Sequence, residues 1–379
     1  MSARTSNGPG ILTRIFGSQW FVSVLAVLIA FVIGAVLIAL SGASVLDAYY
    51  AMFRGSIIDP NAATFVRQIK PLTDSLFYSI PLIISGLGLA LGFRAGLFNI
   101  GGKGQIIVGA LAAVWVGFAV NLPPVVHTLV AIIVAVIAGG LYGGIAGVLK
   151  AKTGANEVIV TIMLNSIATL GLGYTLTQKA WQVPGSNQPV TPKVADSAAL
   201  ARLLPAPFKL HVGFIVALVA LAFFWWLIER STLGFQIRAV GANAAAARTA
   251  GISVERITAI TMVLSGAFLG LAGANEALGT IGYVSRDVAG SIGFDAITVA
   301  LLGRNKTWGT FGAGLLFGAF KAGGYTMQAK GVPIDMILIL QSVIVLLIAA
   351  PALVRWLFRL PDVRALAAQT RKGNADEHK

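Results

Sequence analysis

A chain of 379 residues that is 57% apolar, 11% charged and free of cysteine lies outside the composition of a soluble domain, in which about a quarter of the residues carry charge. Its formal charge of +14 would suggest nucleic acid in a soluble protein. Here the basic residues sit in loops and in the C-terminal tail, the pattern of cytoplasmic loops facing anionic membrane lipid, so no nucleic-acid partner is expected. Without Cys there is no disulfide framework and no thiolate metal site, and His127, His211 and His378 are too scattered to hold a metal. No cofactor is expected either.

Taken in order, residues 1–19 form a polar tail with Arg4 and Arg14. Trp20 to Leu40 is a continuous apolar run, long enough for a bilayer core of about 30 Å and longer than a signal-peptide core, and reads as an uncleaved anchor. Residues 41–75 are mixed and extracytoplasmic, with an interfacial amphipathic helix predicted around Val45 to Phe53. A second span, 76–93, is entered through Pro81. A Gly-rich turn (96–104) and a third span (105–120) follow. The NLPP turn at 121–124 reverses the chain into a fourth span, 125–149, closed by Lys150 and Lys152. The fifth span is 157–176. Next comes a Pro-rich extracytoplasmic loop, 178–209, of the length that is usually functional or disordered. The sixth span (211–228), a polar segment (229–256) and the seventh span (257–278) lead to a harder region. There Asp295 to Leu302 is too short to cross alone, so a broken or re-entrant helix reaching back to Gly290 is expected. Spans at 308–325 and 334–354 bring the tail, 355–379, to the cytoplasm.

The expectation is therefore an all-α polytopic membrane protein with about ten transmembrane helices, a membrane domain over 20–354, and both termini inside. Most of the 28 Lys and Arg then fall on the inner side. The 44 glycines fit close helix packing in lipid. GLFNIGGKGQ, after the second span, and GFDAITVALLGRNKTWG, after the seventh, echo each other, each a Gly-aromatic-Asn/Asp group ahead of a small-residue helix. Spans two to five and seven to ten can be two copies of one unit, an arrangement that builds a site at the repeat interface.

The polar residues inside this apolar sequence are the site candidates. Glu157, Thr161 and Asn165 are spaced i, i+4, i+8 and share one helix face. Such a stripe is costly in a span unless it faces protein or water. It either lines a path or consists of a hydrated end residue, Glu157, and a helix-packing residue, Asn165. Asn275 and Glu276 sit near the outer end of the seventh span, as path residues or as an exposed end. Asn99 and Gln105 flank the broken segment and Asp295 opens the later one, where freed backbone groups need polar partners as much as a substrate does. GGKG at 101–104 is not a phosphate loop, because Leu97 and Gly104 occupy the places of its first Gly and its Ser/Thr. No hydrolytic triad is present in the pattern.

The segment 229–256 is cytoplasmic, since Arg230, Arg238, Arg248 and Arg256 outnumber Glu229 and Glu255. Inside it a short helix is predicted from Asn243 to Ala250: Asn243 is a good N-cap, the alanines have the highest helix propensity, and Gly251 is a stop. RAVGANAAAARTAGI at 238–252 resembles the coupling-loop motif of permease subunits of ATP-binding-cassette importers, the branch serving branched-chain amino acids, simple sugars and nucleosides. GLFNIGGKGQIIVGALAA at 96–113 and NEVIVTIMLNSIA at 156–168 point the same way, closest to the nucleoside and simple-sugar permeases.

The resemblance implies ATPase subunits docked on this loop, with Arg238, Gly241, Asn243, Ala246, Arg248 and Gly251 at the contact. It also implies a second permease chain, an extracytoplasmic binding protein, alternating access and an internal duplication. ATP hydrolysis is then expected on separate subunits, not on this chain. An ion-coupled secondary transporter is the rival reading; it would carry ionisable residues deep in its spans, whereas Glu157 and Glu276 fall near span ends. A branched-chain amino acid permease is the rival within the family.

Overall fold

In the computed structural model, residues 19–333 are described with the exception of position 187, together with isolated positions between 336 and 347. The expected tenth span, 334–354, falls mostly outside the described residues, and the two tails do so almost entirely. The described residues fall into two compact units, one of residues 19–50 with those described from 327 onward and one of residues 51–326. In the first, α1 (Gln19–Leu40) is joined to the start of α2 (Val45–Ser56): the Tyr49 hydroxyl donates to the Phe31 carbonyl, and their rings meet edge to face at 5.4 Å.

The second unit holds the rest: α3 (Phe65–Arg94), α4 (Gly102–Ala119), α5 (Val126–Thr153), α6 (Glu157–Thr175), α7 (Gly213–Arg230), α8 (Thr232–Ala242), α9 (Ala244–Thr249), α10 (Val254–Asn275, continued by a π-helical turn Glu276–Thr280), α11 (Ile292–Leu302) and α12 (Thr307–Gln328). Among the described residues there is no β-strand, only an isolated bridge between Arg202 and His211. Among the described residues, six helices are long and apolar enough to cross a membrane: α3 to α7, and α10 with its π turn. This makes the chain a multi-pass membrane protein. Ten crossings are expected from the sequence and six helices meet the length and composition required. α11, at 11 residues, is about 16 Å long, half of a bilayer core.

Local chemistry sets the ends. Thr64 caps α3 by accepting from the Arg67 amide at 3.4 Å, so this helix begins well before the residue 76 expected from hydropathy. Its first turns carry Arg67, Lys70, Pro71 and Asp74, which read as loop, yet Lys70 and Asp74 pair along one face and the helix continues through Pro71 at the cost of one backbone bond, that to the Arg67 carbonyl. α5 closes on Lys150, Lys152 and a left-handed Gly154, and Asn156 opens α6 by accepting from the Val158 and Ile159 amides.

Glycine makes the core. Gly109 of α4, Gly139 of α5 and Gly270 of α10 meet so closely that a Cβ on Gly109 or on Gly139 would lie 2.5 Å from the Gly270 Cα. Gly143 and Gly266 repeat the contact one turn along. Glycines four residues apart on both α5 and α10 are what lets two helices in lipid bring their backbones together.

The long segment 178–212, apart from position 187, is folded over one end of this core. Its backbone pairs with the chain just beyond α10: the Thr191 amide donates to Val284 (3.0 Å), that of Val194 to Gly282 (2.9 Å) and that of Leu200 to Leu278 (2.9 Å). His127, fully buried, ties α5 to this cap through Ser197 (2.8 Å) and to α4 through the Val116 carbonyl (3.0 Å).

Candidate functional site

Two polar groups stand inside the apolar bundle. The first lies toward the end that carries Arg94 and Lys150. Between α3 and α4 the chain runs without helix from Ala95 to Gly101, leaving backbone groups that no helix satisfies. The stripe residues of α6 meet these groups and the free first turn of α4 in turn: the Phe98 amide donates to Glu157 Oε1 (3.4 Å), the Ile100 amide to Thr161 Oγ1 (3.2 Å) and the Gly104 amide, in the first turn of α4, to Asn165 Oδ1 (2.7 Å). Asn165 Nδ2 donates back to the Ile100 carbonyl at 2.8 Å. The spacing i, i+4, i+8 on α6 thus matches the rise of the broken segment beside it.

Asn99 and Gln105 complete this group. Their amides are mutually bonded at 3.0 and 3.2 Å, Asn99 Oδ1 accepts from the Gly101 amide at 2.9 Å, and Asn99 Nδ2 also donates to Ser265 Oγ on α10 at 2.9 Å. Lys150 Nζ donates to Glu157 Oε2 at 2.6 Å. The sequence reading misses Ser265 and takes Lys150 only as the basic close of the fourth span, without its pairing to Glu157. Lys150 was legible, seven residues before Glu157 across a Gly turn, whereas Ser265 is one small hydroxyl among many.

The second group lies toward the other end. Asn275 is buried and neither atom of its amide has a partner; the same holds for Nε2 of His211. The two side chains adjoin, since a Cβ on Gly213 would run into both. His211 accepts from the Gly213 amide through Nδ1 at 3.0 Å and meets Phe77 edge to face at 5.4 Å. Lying in the loop before α7, it is held down to about pKa 4 by burial. Glu276, also buried, opens the π turn and accepts from Thr280 Oγ1 at 3.2 Å. Asp295 accepts from Ser291 Oγ at 2.6 Å at the start of α11, and Lys321 of α12 acts electrostatically on both carboxylates.

Above this group a cavity of about 850 Å³ opens, lined among others by Arg67, Lys70, Asp74, Tyr78, Lys209 and Tyr325. The two regions that echo each other in sequence also touch: a Cβ on Gly293 would lie 2.5 Å from the Lys103 amide. The first turns of α4 and α11 therefore meet inside the bundle. Among the described residues no group of His, Asp or Glu could hold a metal ion.

The remaining candidates lie on the segment 229–256, which contains two helices where one is expected. Asn243 caps α9 by accepting from the Ala246 amide at 3.1 Å. Gly251 stops it at φ +82°, with the Ile252 amide returning to Ala247 O and the Gly251 amide to Arg248 O, both at 3.0 Å, a complete Schellman closure. Ala244 to Ala246 are exposed and Ala247 is buried. Arg248 pairs with Glu255 at 2.8 Å in the open. The preceding α8 is capped by Ser231, which accepts from the Gly234 amide at 2.9 Å. Gly241 of α8 packs directly on the Arg94 carbonyl, with no room for a Cβ, and Arg238 is half-buried.

A multi-pass helical bundle with buried polar groups, a broken helix and capped helices outside its apolar core is an architecture that membrane transporters use. Residues 72–349 match the family described as branched-chain amino acid transport system / permease component, and the chain belongs to that family. It is 39% identical over 349 residues to the guanosine ABC transporter permease protein NupP of Bacillus subtilis, covering 89% of this chain and 95% of the relative. It is 34% identical over 333 residues to the glucose ABC transporter permease protein TsgB13 of Haloferax volcanii, with 85% of each covered. Identity to the nucleoside ABC transporter permease protein NupB of Lactococcus lactis is 30% over 359 residues, 92% of this chain and 94% of that one. No solved structure matches the chain.

Proposed function

We propose that the chain is the membrane-spanning subunit of an ATP-binding-cassette importer and forms the path for a nucleoside or simple sugar. Near full-length similarity to permeases named for guanosine, nucleosides and glucose carries this reading. The end with Arg94, Lys150, Arg230 and Lys306 is cytoplasmic by its positive charge, and so are both termini. Ten crossings result when α1, a broken crossing over 290–302 that includes α11, α12 and the 334–354 segment are added to the six long helices. The meeting of α4 and α11 supports an internal repeat with the path at its interface.

Within that frame the roles of the polar residues differ. Glu276, Asn275 and Asp295, with Lys321 and His211, border the path below the outer cavity. Asn99, Gln105, Glu157, Thr161 and Asn165 hold the broken segment that forms its wall. The exposed alanines of α9, set by Asn243 and Gly251 and flanked by Arg238 and Arg248, dock an ATPase subunit, and Gly241 transmits its motion to the end of α3. The exposed apolar face of α6, with Ile159, Met163, Ile167 and Leu170, suits lipid or a second permease chain. The cavity at the outer end suits delivery from an extracytoplasmic binding protein.

The test is uptake into proteoliposomes holding this chain, its ATPase, its partner permease and its binding protein, with guanosine, glucose or leucine as labelled solute. Uptake of guanosine or glucose that requires enclosed ATP supports the proposal. Leucine uptake would move the substrate to branched-chain amino acids, and uptake driven by an ion gradient without ATP would make the chain a secondary transporter.

A further inference from the structure

A second cavity, of about 680 Å³, lies at the opposite end of the bundle, outside both polar groups. It is lined by Arg94 at the end of α3, Trp225, Glu229 and Arg230 at the end of α7, and Lys306 and Trp308 at the start of α12. Three cations face one carboxylate, so the lining carries a net positive charge. Arg94 uses Nε on the Asn305 carbonyl at 2.7 Å, which fixes its guanidinium at the groove wall. The Arg230 guanidinium lies 5.4 Å from the centre of the Trp225 ring, a stacking that leaves its N–H edges for an acceptor. Trp308 is 68% and Trp225 39% exposed, at the ends of membrane helices where indole rings sit at headgroup level.

The groove is continuous with an apolar track. Ile215, Val219, Phe223 and Trp226 follow one another along α7 at helical spacing, each exposed, and the line ends at Arg230. Charge at the membrane surface, two indoles at the boundary and an apolar stripe running into the core are the three regions of a phospholipid read from head to tail.

We infer that this groove is a binding site for an anionic phospholipid of the adjacent leaflet, with the phosphodiester held by Arg94, Arg230 and Lys306 and an acyl chain laid along α7. The side of the membrane follows from the proposed orientation; the chemistry does not depend on the solute carried. Because Gly241 of α8 rests on the Arg94 carbonyl, occupancy braces the helix that precedes α9, and the lipid becomes a part of the coupling surface.

The experiment is native mass spectrometry of the purified full complex equilibrated with equal amounts of phosphatidylglycerol and phosphatidylcholine of the same acyl length. The expected result is one phosphatidylglycerol retained per copy of this chain, at least tenfold over phosphatidylcholine. Arg230→Gln with Lys306→Gln reduces that preference to parity, while Lys209→Gln at the opposite end leaves it unchanged. Lys306→Gln alone, an exposed change, gives a several-fold loss should the double variant not assemble. Inorganic phosphate at millimolar concentration does not displace the lipid. Equal retention of the two lipids, retention unchanged by the variants, or full displacement by inorganic phosphate overturns the proposal. Retention that appears only after the ATPase subunits are stripped overturns it too, assigning the groove to the ATPase. The readout counts lipid, so a failure of solute uptake leaves it standing.

Discussion

The two polar groups in the bundle both combine carboxyl, amide and hydroxyl side chains with a lysine, and they have opposite bookkeeping of hydrogen bonds. Around the broken segment, Thr161 and Asn165 meet freed backbone amides one for one, and Asn99 and Gln105 answer each other. Around the π turn, the Asn275 amide and Nε2 of His211 are buried with no partner, beside a buried Glu276. A satisfied group in an apolar interior is rigid, since every alternative arrangement loses a bond. An unsatisfied one costs about 1–3 kcal/mol per atom, and water, a solute or a rearrangement lowers that cost. On the proposed reading the first is a fastening and the second is the place where something moves or binds.

Asn165→Leu gives the largest expected break in this contrast. It orphans the Gly104 amide and the Ile100 carbonyl together, a loss of roughly 2–5 kcal/mol, read as a lowered melting temperature and a poorer yield of monodisperse protein. Thr161→Val orphans one amide and should lose about half as much. A variant at Asn165 that melts like the wild type would remove the fastening role.

A pH scan sharpens the other side. His211 has a folded-state pKa of about 4 against about 6.5 in the unfolded chain. The folded protein therefore binds fewer protons between these values, and stability falls as pH drops below about 6.5 and levels off below about 4. The loss at pH 5 is about 2 kcal/mol, and His211→Gln should remove that part of the pH dependence. A pH profile unaltered by the substitution would show that the ring is hydrated.

A smaller effect on folding, with a separate effect on function, is expected at α9. Gly251→Val places a β-branched residue at φ +82°, a cost of about 1–2 kcal/mol. Stimulation of ATP hydrolysis by the binding protein should be lost while the membrane domain stays monodisperse. Unchanged coupling in Gly251→Val and in a bulky Ala246 variant would make the segment a linker.

These regions were unequally legible. The α9 helix could be read residue by residue, because an N-cap, a run of alanines and a stop glycine act locally. The α6 stripe was visible as a spacing, but its partners were not: the acceptors serve a backbone sixty residues away, and periodicity says nothing of distant amides. α8 was missed because Gly234 and Gly241 lower helix propensity, and both are there for close packing against Leu227 and Arg94. The start of α3 was hidden by its charged first turns. The order in 178–212 rests on bonds to residues beyond α10, which a Pro-rich composition does not announce. Asn275 and Glu276 were found as polar residues near a span end; their burial and the π turn came only with the fold.

The contrast is tested most directly by Glu276→Gln and Thr161→Val made in one complex, with melting temperature and ATP-driven uptake measured on the same preparations. Glu276→Gln keeps shape and removes the ionisable carboxyl, so the account predicts unchanged folding with uptake down at least tenfold. Thr161→Val should melt lower, and the protein that remains folded should transport at close to the wild-type rate. The reverse pattern, a stable Thr161→Val that does not transport beside a fully active Glu276→Gln, would contradict it.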